Sequence, residues 1–486
     1  MSARPATPPA TPGGTIPPPD GPAEPRAKAG RGPRAEAHGI DVIGDDERHG
    51  RARDLFGVWA APSASYLSLV IGAGLVLSGL SLIQALLVIV VGNVFWALVG
   101  LVAVSGPAAG APSEVIMRAM FGTLGNRVVT GVNGWFVSIC YVALTWSAAS
   151  VTAFSLCSRL GIDLDTLGKV LVIVGIAAAT LVISVYGHAL IVRLFLPLAL
   201  VTTAVFLVVG GFLIPHTAWG YRPTSPLHGA ALWAALSGGV ALIASSALSY
   251  NNSADFARYL PRETKPFGIA AWTAAGSFLP SVVFTSFGAF AATTLDMSDP
   301  QKALDSVLPS WFTPVFLIAV ILGSIANNAM TVYSSGLALQ AMGVKMRRSR
   351  SVLFDGTAGV LLTAYALLVS NFLSAVDDVM QLMVVVLAPL MAIYVADLLM
   401  RRNRYDGHAL ADNSRSGPFW YTGGVNWPGV AALVVGAAAS LSWVAVPGLF
   451  TGFAAGAAGG IDLSLPAGML TAAAIYCLTG RPRATV

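Results

Sequence analysis

The chain has 486 residues, 55% of them hydrophobic and only 10% charged, with a mean hydropathy of +0.73. This composition lies far from the soluble average and marks a polytopic helical membrane protein. The net charge of +5 follows the arrangement of the loops and is no footprint of nucleic-acid binding.

Ahead of the apolar segments, residues 1–44 are expected to form a disordered cytoplasmic tail. The first forty are rich in Pro, Ala, Gly and Arg and almost free of large apolar side chains, so they cannot bury enough surface to fold. They also lack the apolar run of a signal peptide. A spanning helix needs roughly 20 mostly apolar residues. Twelve such stretches follow, near 56–80, 82–105, 128–157, 170–186, 189–214, 231–256, 268–294, 311–342, 353–373, 377–400, 427–447 and 463–479. With the N-terminus inside, the inner loops hold most of the 28 Lys and Arg, while the outer loops hold Arg159, Lys169, Arg222 and Lys302. That asymmetry places both termini in the cytoplasm.

Helix one carries Pro62 and Ser63 within Ala-Ala-Pro-Ser-Ala-Ser, and Trp59 is expected to anchor it at the cytoplasmic interface. Helix three carries Tyr141 and Thr145, whose i, i+4 spacing puts them on one face, with Trp146 pointing elsewhere. Helix six is interrupted by Gly238-Gly239 and then by the Ser245–Ser249 segment. Paired breaks in corresponding helices of two halves point to a transporter site, although close packing of small residues is the plainer explanation. Helix eight contains Asn327, Asn328, Tyr333, Ser334 and Ser335 inside an apolar stretch. Amides at that depth cost free energy unless they face protein or a wet cavity, and polar side chains held there are functional candidates.

No formal charge is expected in the middle of a helix. Glu114 and Arg118 fall in the loop after helix two, Asp255 where helix six reaches the cytoplasm, Asp377 and Asp378 at the outer end of helix ten, and Asp397 at its inner end. A strongly charged solute would call for a countercharge at depth, so a neutral solute is favoured. The loop at 401–426 is too short for a nucleotide-binding domain, and no P-loop string occurs. Uphill transport must therefore draw on an ion gradient. Cys140, Cys157 and Cys477 suggest neither a disulfide framework nor a metal site.

The segment Asp255-Phe256-Ala257-Arg258-Tyr259-Leu260-Pro261 resembles the cytosine/purine permease signature, as does Asn327-Asn328-Ala329-Met330-Thr331-Val332-Tyr333-Ser334-Ser335-Gly336-Leu337. Gly110-Ala111-Pro112 with Arg118-Ala119-Met120-Phe121-Gly122 is similar to the loop after helix two in that family. Trp59, Leu80, Ala388-Pro389 and Asp397 also fall on similar positions. The likeness runs from about Gly44 to Cys477 and is to nucleobase–cation symport family one, which covers cytosine, purine, uracil, thiamine-precursor, allantoin and hydantoin permeases.

The resemblance implies an all-α fold of twelve transmembrane helices. A leucine-transporter-like core of two five-helix inverted repeats (45–400, with repeats at about 55–214 and 231–400) would be followed by the 401–426 loop, two accessory helices within 427–480 and a cytoplasmic tail at 481–486. It implies a central site between helices one, three, six, eight and ten, where a planar ring stacks on aromatic faces and is read by amides. Carried over by position, the substrate-binding residues are Asn327 with Asn328 beside it, Tyr141 and Thr145 in helix three, Ser63 in helix one, and Ser245 and Ser246 in helix six. Tyr141 and Thr145 stand where relatives have Trp and an amide, and helix six lacks an aromatic in the substrate-facing segment, where Tyr250 could substitute in another register.

Where sodium-coupled relatives carry a Ser-Thr pair, this chain has Ile321 and Leu322, which offer no oxygen ligands. Proton coupling is therefore favoured over sodium, with Glu114, Asp255 and His188 as candidate carriers. Asp255 and Arg258 are also expected to form a structural pair on the inner face. The expected protein is a plasma-membrane symporter, monomeric, without cofactor, importing a nucleobase or related ring such as cytosine, a purine or allantoin. An amino-acid transporter on the same fold is the alternative. An intramembrane enzyme is remote, because the six His lie mostly in tails and loops.

Overall fold

Nine helices among the described residues are long and apolar enough to cross a membrane. They are helix two (Leu82–Ala109), three (Thr123–Arg159), four (Thr166–Tyr186), five (His188–His216), six (Gly229–Leu248), seven (Pro266–Ala291), eight (Thr313–Ala341), nine (Arg350–Leu368) and ten (Gln381–Met400). Helix one is a bent pair, Asp54–Ser63 and Tyr66–Leu77, whose parts differ in direction by 60°. Two shorter apolar helices, eleven (Trp427–Trp443) and twelve (Ser464–Thr479), fall at the last two of the twelve predicted stretches. The computed structural model describes residues 38–480 apart from 64–65, 299, 369–371 and 447, and for 301, 348–349 and 372–380 it describes the backbone alone. The tail before residue 38, the C-terminal 481–486 and the side chains of Asp377 and Asp378 lie outside the described residues.

Local chemistry sets several helix ends. Ser81 and Gln84 form a capping box at the start of helix two, each side chain bonding the other's backbone N–H. The Asp165 carboxylate accepts from Gly168 N–H at 2.7 Å and caps helix four. Gly187, at φ 69°, turns the chain between helices four and five.

Burial sorts the helices into layers. Only 28% of the apolar windows of helices four and five is buried, so their Leu171, Val182 and Leu200 are left facing outward, as lipid contact requires. Helices eight and ten are 67% buried and occupy the centre. The outer half of helix one crosses helix seven at a pair of glycines. A Cβ on Gly72 would collide with the Thr285 carbonyl, and one on Gly288 with the Leu69 carbonyl. Only glycine permits that approach.

Four features differ from the sequence expectation. Helix six is continuous through Gly238-Gly239 and Ser245 to Leu248, and the chain turns over Ser249–Ser253 before a short helix at Ala254–Ala257. A Cβ on Gly239 would meet Leu75 at 2.7 Å and Val88 at 2.9 Å, so this glycine serves packing and is not a hinge. Trp59 is fully buried among Trp96, Tyr250 and Phe256 and is not an interfacial anchor. The helical backbone of helix nine begins at Arg348, ahead of its apolar span and more than a turn before the predicted 353, so Asp355 lies buried within the helix and not at its end. Residues 38–44, assigned to the tail, pack on the terminal face: Ile43 N–H donates to the Gly110 carbonyl, and the Gly39 carbonyl accepts from Arg258.

One carboxylate ties helix twelve and the loop after helix ten to helix ten. Asp397 is 1% exposed and accepts from Arg401 Nε at 2.9 Å, Tyr405 at 2.9 Å and Tyr476 of helix twelve at 2.7 Å.

Candidate functional site

Helix one loses its regular hydrogen bonding at Ala61–Ser63, and helix six ends at Leu248. A cavity of about 90 Å³ lies where these two ends face the middle of helices three and eight. Helix one supplies Pro62, Ser63 and Ser68, helix three supplies Ser138, Tyr141 and Thr145, and helix eight supplies Asn327 and Thr331. The end of helix six and the turn beyond it supply Ser246, Ser249, Tyr250 and Asn252.

Helix three reaches the cavity through a wider turn. Its Thr130–Val137 segment is π-helical, and Val137 and Ser138 at the end of that segment line the cavity one turn before Tyr141. Such π segments recur at functional sites because the extra residue per turn re-aims side chains.

Asn327 is half-buried, with its amide Nδ2 3.4 Å from the Pro62 carbonyl at the helix-one break. That is a long, weak contact, so the amide retains capacity for another partner. The Tyr250 phenol shares the cavity lining with Asn327 and Thr331. The Tyr141 hydroxyl donates to the Ser245 carbonyl at 3.4 Å. The Tyr250 ring packs on Trp96 at 5.6 Å and 34° and edge-on to Trp59 at 5.2 Å.

The cavity gathers most of the sequence candidates and leaves two outside. Asn327, Tyr141, Thr145, Ser63 and Ser246 line it. Asn328 is fully buried behind it, donating to the Val142 carbonyl at 3.0 Å, and ties helix eight to helix three. Ser245 turns its hydroxyl back to the Leu242 carbonyl and offers only its own carbonyl, to Tyr141. Trp146 points away, bonding Thr180 of helix four.

Sequence reasoning missed Asn93 and Trp96 of helix two and Ser281 and Thr285 of helix seven, all of which line the cavity. No described lining residue comes from helix ten, which the resemblance had placed there. Asn93 was accessible to the rule applied to helix eight, since it is an amide in mid-helix within an apolar run. Its Oδ1 accepts from Trp96 Nε1 at 3.1 Å and fixes the indole at the cavity wall.

The lining carries no Asp, Glu, Lys, Arg or His among the described residues. One carboxylate inside a span was not foreseen. Asp355 of helix nine accepts from Ser335 Oγ and from Trp135 Nε1, both at 2.7 Å, and joins helix nine to helices eight and three away from the cavity. Asp255 is not on the surface but fully buried, held by Ser113 N–H at 2.9 Å and Ser334 Oγ at 2.6 Å. Arg258, its expected partner, extends instead to Gly39, Tyr259 and Tyr333. His188 stacks on Tyr259 at 4.1 Å.

Comparison with known proteins agrees with this layout. Residues 42–468 match the family described as permeases for cytosine/purines, uracil, thiamine and allantoin. YxlA of Bacillus subtilis (strain 168), which carries the name of a purine-cytosine permease, is 25% identical over 464 residues, spanning 93% of this chain and 97% of its own. Among solved structures, the nucleobase-cation-symport-1 transporter Mhp1, closed around bromovinylhydantoin, superposes with a TM-score of 0.74 at 18% identity, covering 91% of this chain and 94% of Mhp1. Inward-facing Mhp1 gives 0.68 at 19% identity, with 92% and 94% covered. A Na+-coupled sialic acid symporter gives 0.56 at 12% identity, with 88% and 91% covered. The fold is thus the leucine-transporter-like arrangement, and the chain belongs to the permease family for cytosine/purines, uracil, thiamine and allantoin, the nucleobase–cation symport family one.

Proposed function

We propose that this protein imports a neutral planar heterocycle such as cytosine, a purine or allantoin across the plasma membrane, coupled to inward movement of protons, with both termini in the cytoplasm. The observation that carries this reading is the cavity itself. It combines amides, hydroxyls and aromatic faces with no formal charge among its described lining residues, at the break of helix one. An amide offers both a donor and an acceptor, matching the lactam or amidine edge of such a ring. Tyr141, Tyr250 and Trp96 offer faces or edges to its π system. Asn327 reads the polar edge, while Ser63, Thr145 and Ser246 bound the chamber.

Proton coupling draws support from helix eight. Leu322 is 37% exposed, and Ile321 packs with the helix-three and helix-four cluster. Neither side chain offers the oxygen ligand that a hard cation takes.

The test is thermal stabilisation of purified protein by a panel of nucleobases, hydantoins and amino acids, with Asn327→Ala as the control. A heterocycle should stabilise the wild type and lose that effect in the variant. Stabilisation by amino acids alone would favour the alternative transporter.

A further inference from the structure

Two carboxyl groups lie buried together on the terminal face, outside the spans. Glu114, on the short helix after helix two, is 1% exposed, and Asp255, after helix six, is fully buried. Glu114 directly follows Ser113, whose N–H donates to Asp255 Oδ1 at 2.9 Å, and the Glu114 Oε2 has no partner among the described residues. Two ionised carboxylates in contact repel, and an O···O hydrogen bond between them requires a proton.

Other groups facing the pair do not remove that requirement. Arg258 is the nearby cation, but its guanidinium donates to the Gly39 carbonyl at 2.8 Å and to the Tyr259 and Tyr333 hydroxyls at 3.2 Å. Tyr394 of helix ten approaches both carboxyls and bonds Ser105. Ser334 and the Ser113 N–H each donate to Asp255. Burial pushes the Glu114 carboxyl well above the ordinary carboxylate range, and the neighbouring Asp255 charge adds to this. Burial also raises Asp255, against the opposing bonds from Ser334 and Ser113.

The position ties the pair to the transport path. Asp255 N–H bonds the carbonyl of Asn252, a cavity-lining residue, so the pair lies one turn beyond the chamber. Asp255 follows helix six, Ser334 belongs to helix eight, and Glu114 links helices two and three. The Asp255–Ser334 and Asp255–Ser113 bonds therefore join three elements on the terminal face.

We propose that Glu114 and Asp255 together hold a single proton that keeps this face shut, and that the proton leaves to cytoplasmic water when the face opens. The proton arrives from the opposite side by way of the cavity, forms an O–H bond on one carboxyl and is shared with the other. On opening, that O–H bond breaks and the proton passes to water, leaving two carboxylates that water can solvate. This deepens the proton-coupled reading above and rests on it.

The test needs no substrate. In full-length protein with Cys140, Cys157 and Cys477 replaced by Ser, Thr130→Cys places a thiol at a fully buried position in the terminal half of helix three. Its maleimide labelling rate, normalised to the unfolded chain at each pH, reports opening. The expected rate rises with pH by up to about tenfold per unit where the proton is lost, and Glu114→Gln flattens the profile. An equal pH dependence in Glu114→Gln would overturn the assignment of the pair while leaving proton coupling standing. Labelling that ignores pH and answers to sodium would overturn both. Should Glu114→Gln not fold, Glu114→Asp decides: a displaced midpoint supports the proposal, and an unchanged one defeats it.

Discussion

Replacing Asn327 by Ala removes the helix-eight side chain that lines the cavity and contacts the helix-one break. Two effects follow, and their sizes differ. The contact to the Pro62 carbonyl is long at 3.4 Å, so its loss costs the fold little. A ring bonded through both amide atoms would lose two neutral hydrogen bonds, each worth about 0.5–1.5 kcal/mol net. The sum of ~1–3 kcal/mol corresponds to binding roughly 5- to 150-fold weaker. Asn328→Ala is the contrast. It leaves the cavity lining intact but removes the side-chain bond that ties helix eight to the Val142 carbonyl of helix three, so it should lower the melting temperature with little change in affinity per folded molecule. Equilibrium binding of the best heterocycle to both variants separates these outcomes. Unchanged affinity in Asn327→Ala, or abolished binding in a folded Asn328→Ala, would refute the assignment.

Further outcomes follow from other parts of the structure. Gly288→Ala drives a methyl into the Leu69 carbonyl and should sharply reduce folded yield, measured by size-exclusion profile, whereas Gly175→Ala, at an open position, should not. Asp397→Asn leaves the buried Arg401 guanidinium without its charge partner, a loss of about 3–5 kcal/mol, read as a lower melting temperature. The pH dependence of stability has a definite sign. Because Glu114 is held above its unfolded value of about 4.3, its stabilisation is complete below that value and is lost as pH rises through the higher folded one. The melting temperature should therefore fall with rising pH and fall less steeply in Glu114→Gln.

Much of the architecture was legible because lipid imposes simple rules. Apolar length gave the helices, and the buried amides of helix eight marked a central helix. Depth in sequence did not give direction in space. Asn327 and Asn328 are adjacent, yet one faces the chamber and the other binds helices three and eight together, since neighbouring residues lie about 100° apart around a helix. Nor could periodicity reveal the π-helical turn in helix three, which resets the register before Tyr141. Trp96 and Tyr250 meet only through tertiary contact of helices two and six. Asp255 was read as a helix-end charge and Asp355 was not singled out, because helix boundaries from composition err by a turn, and one turn here separates solvent from the interior.

The central claim is that a flat, uncharged molecule rests at the helix-one break against amide and phenol groups. It is tested most directly by a structure determined with the ring that gives the largest thermal stabilisation. The account predicts density beside Asn327, with Tyr141, Tyr250 or Trp96 against the ring. Density elsewhere in the protein, with this chamber unchanged, would contradict it.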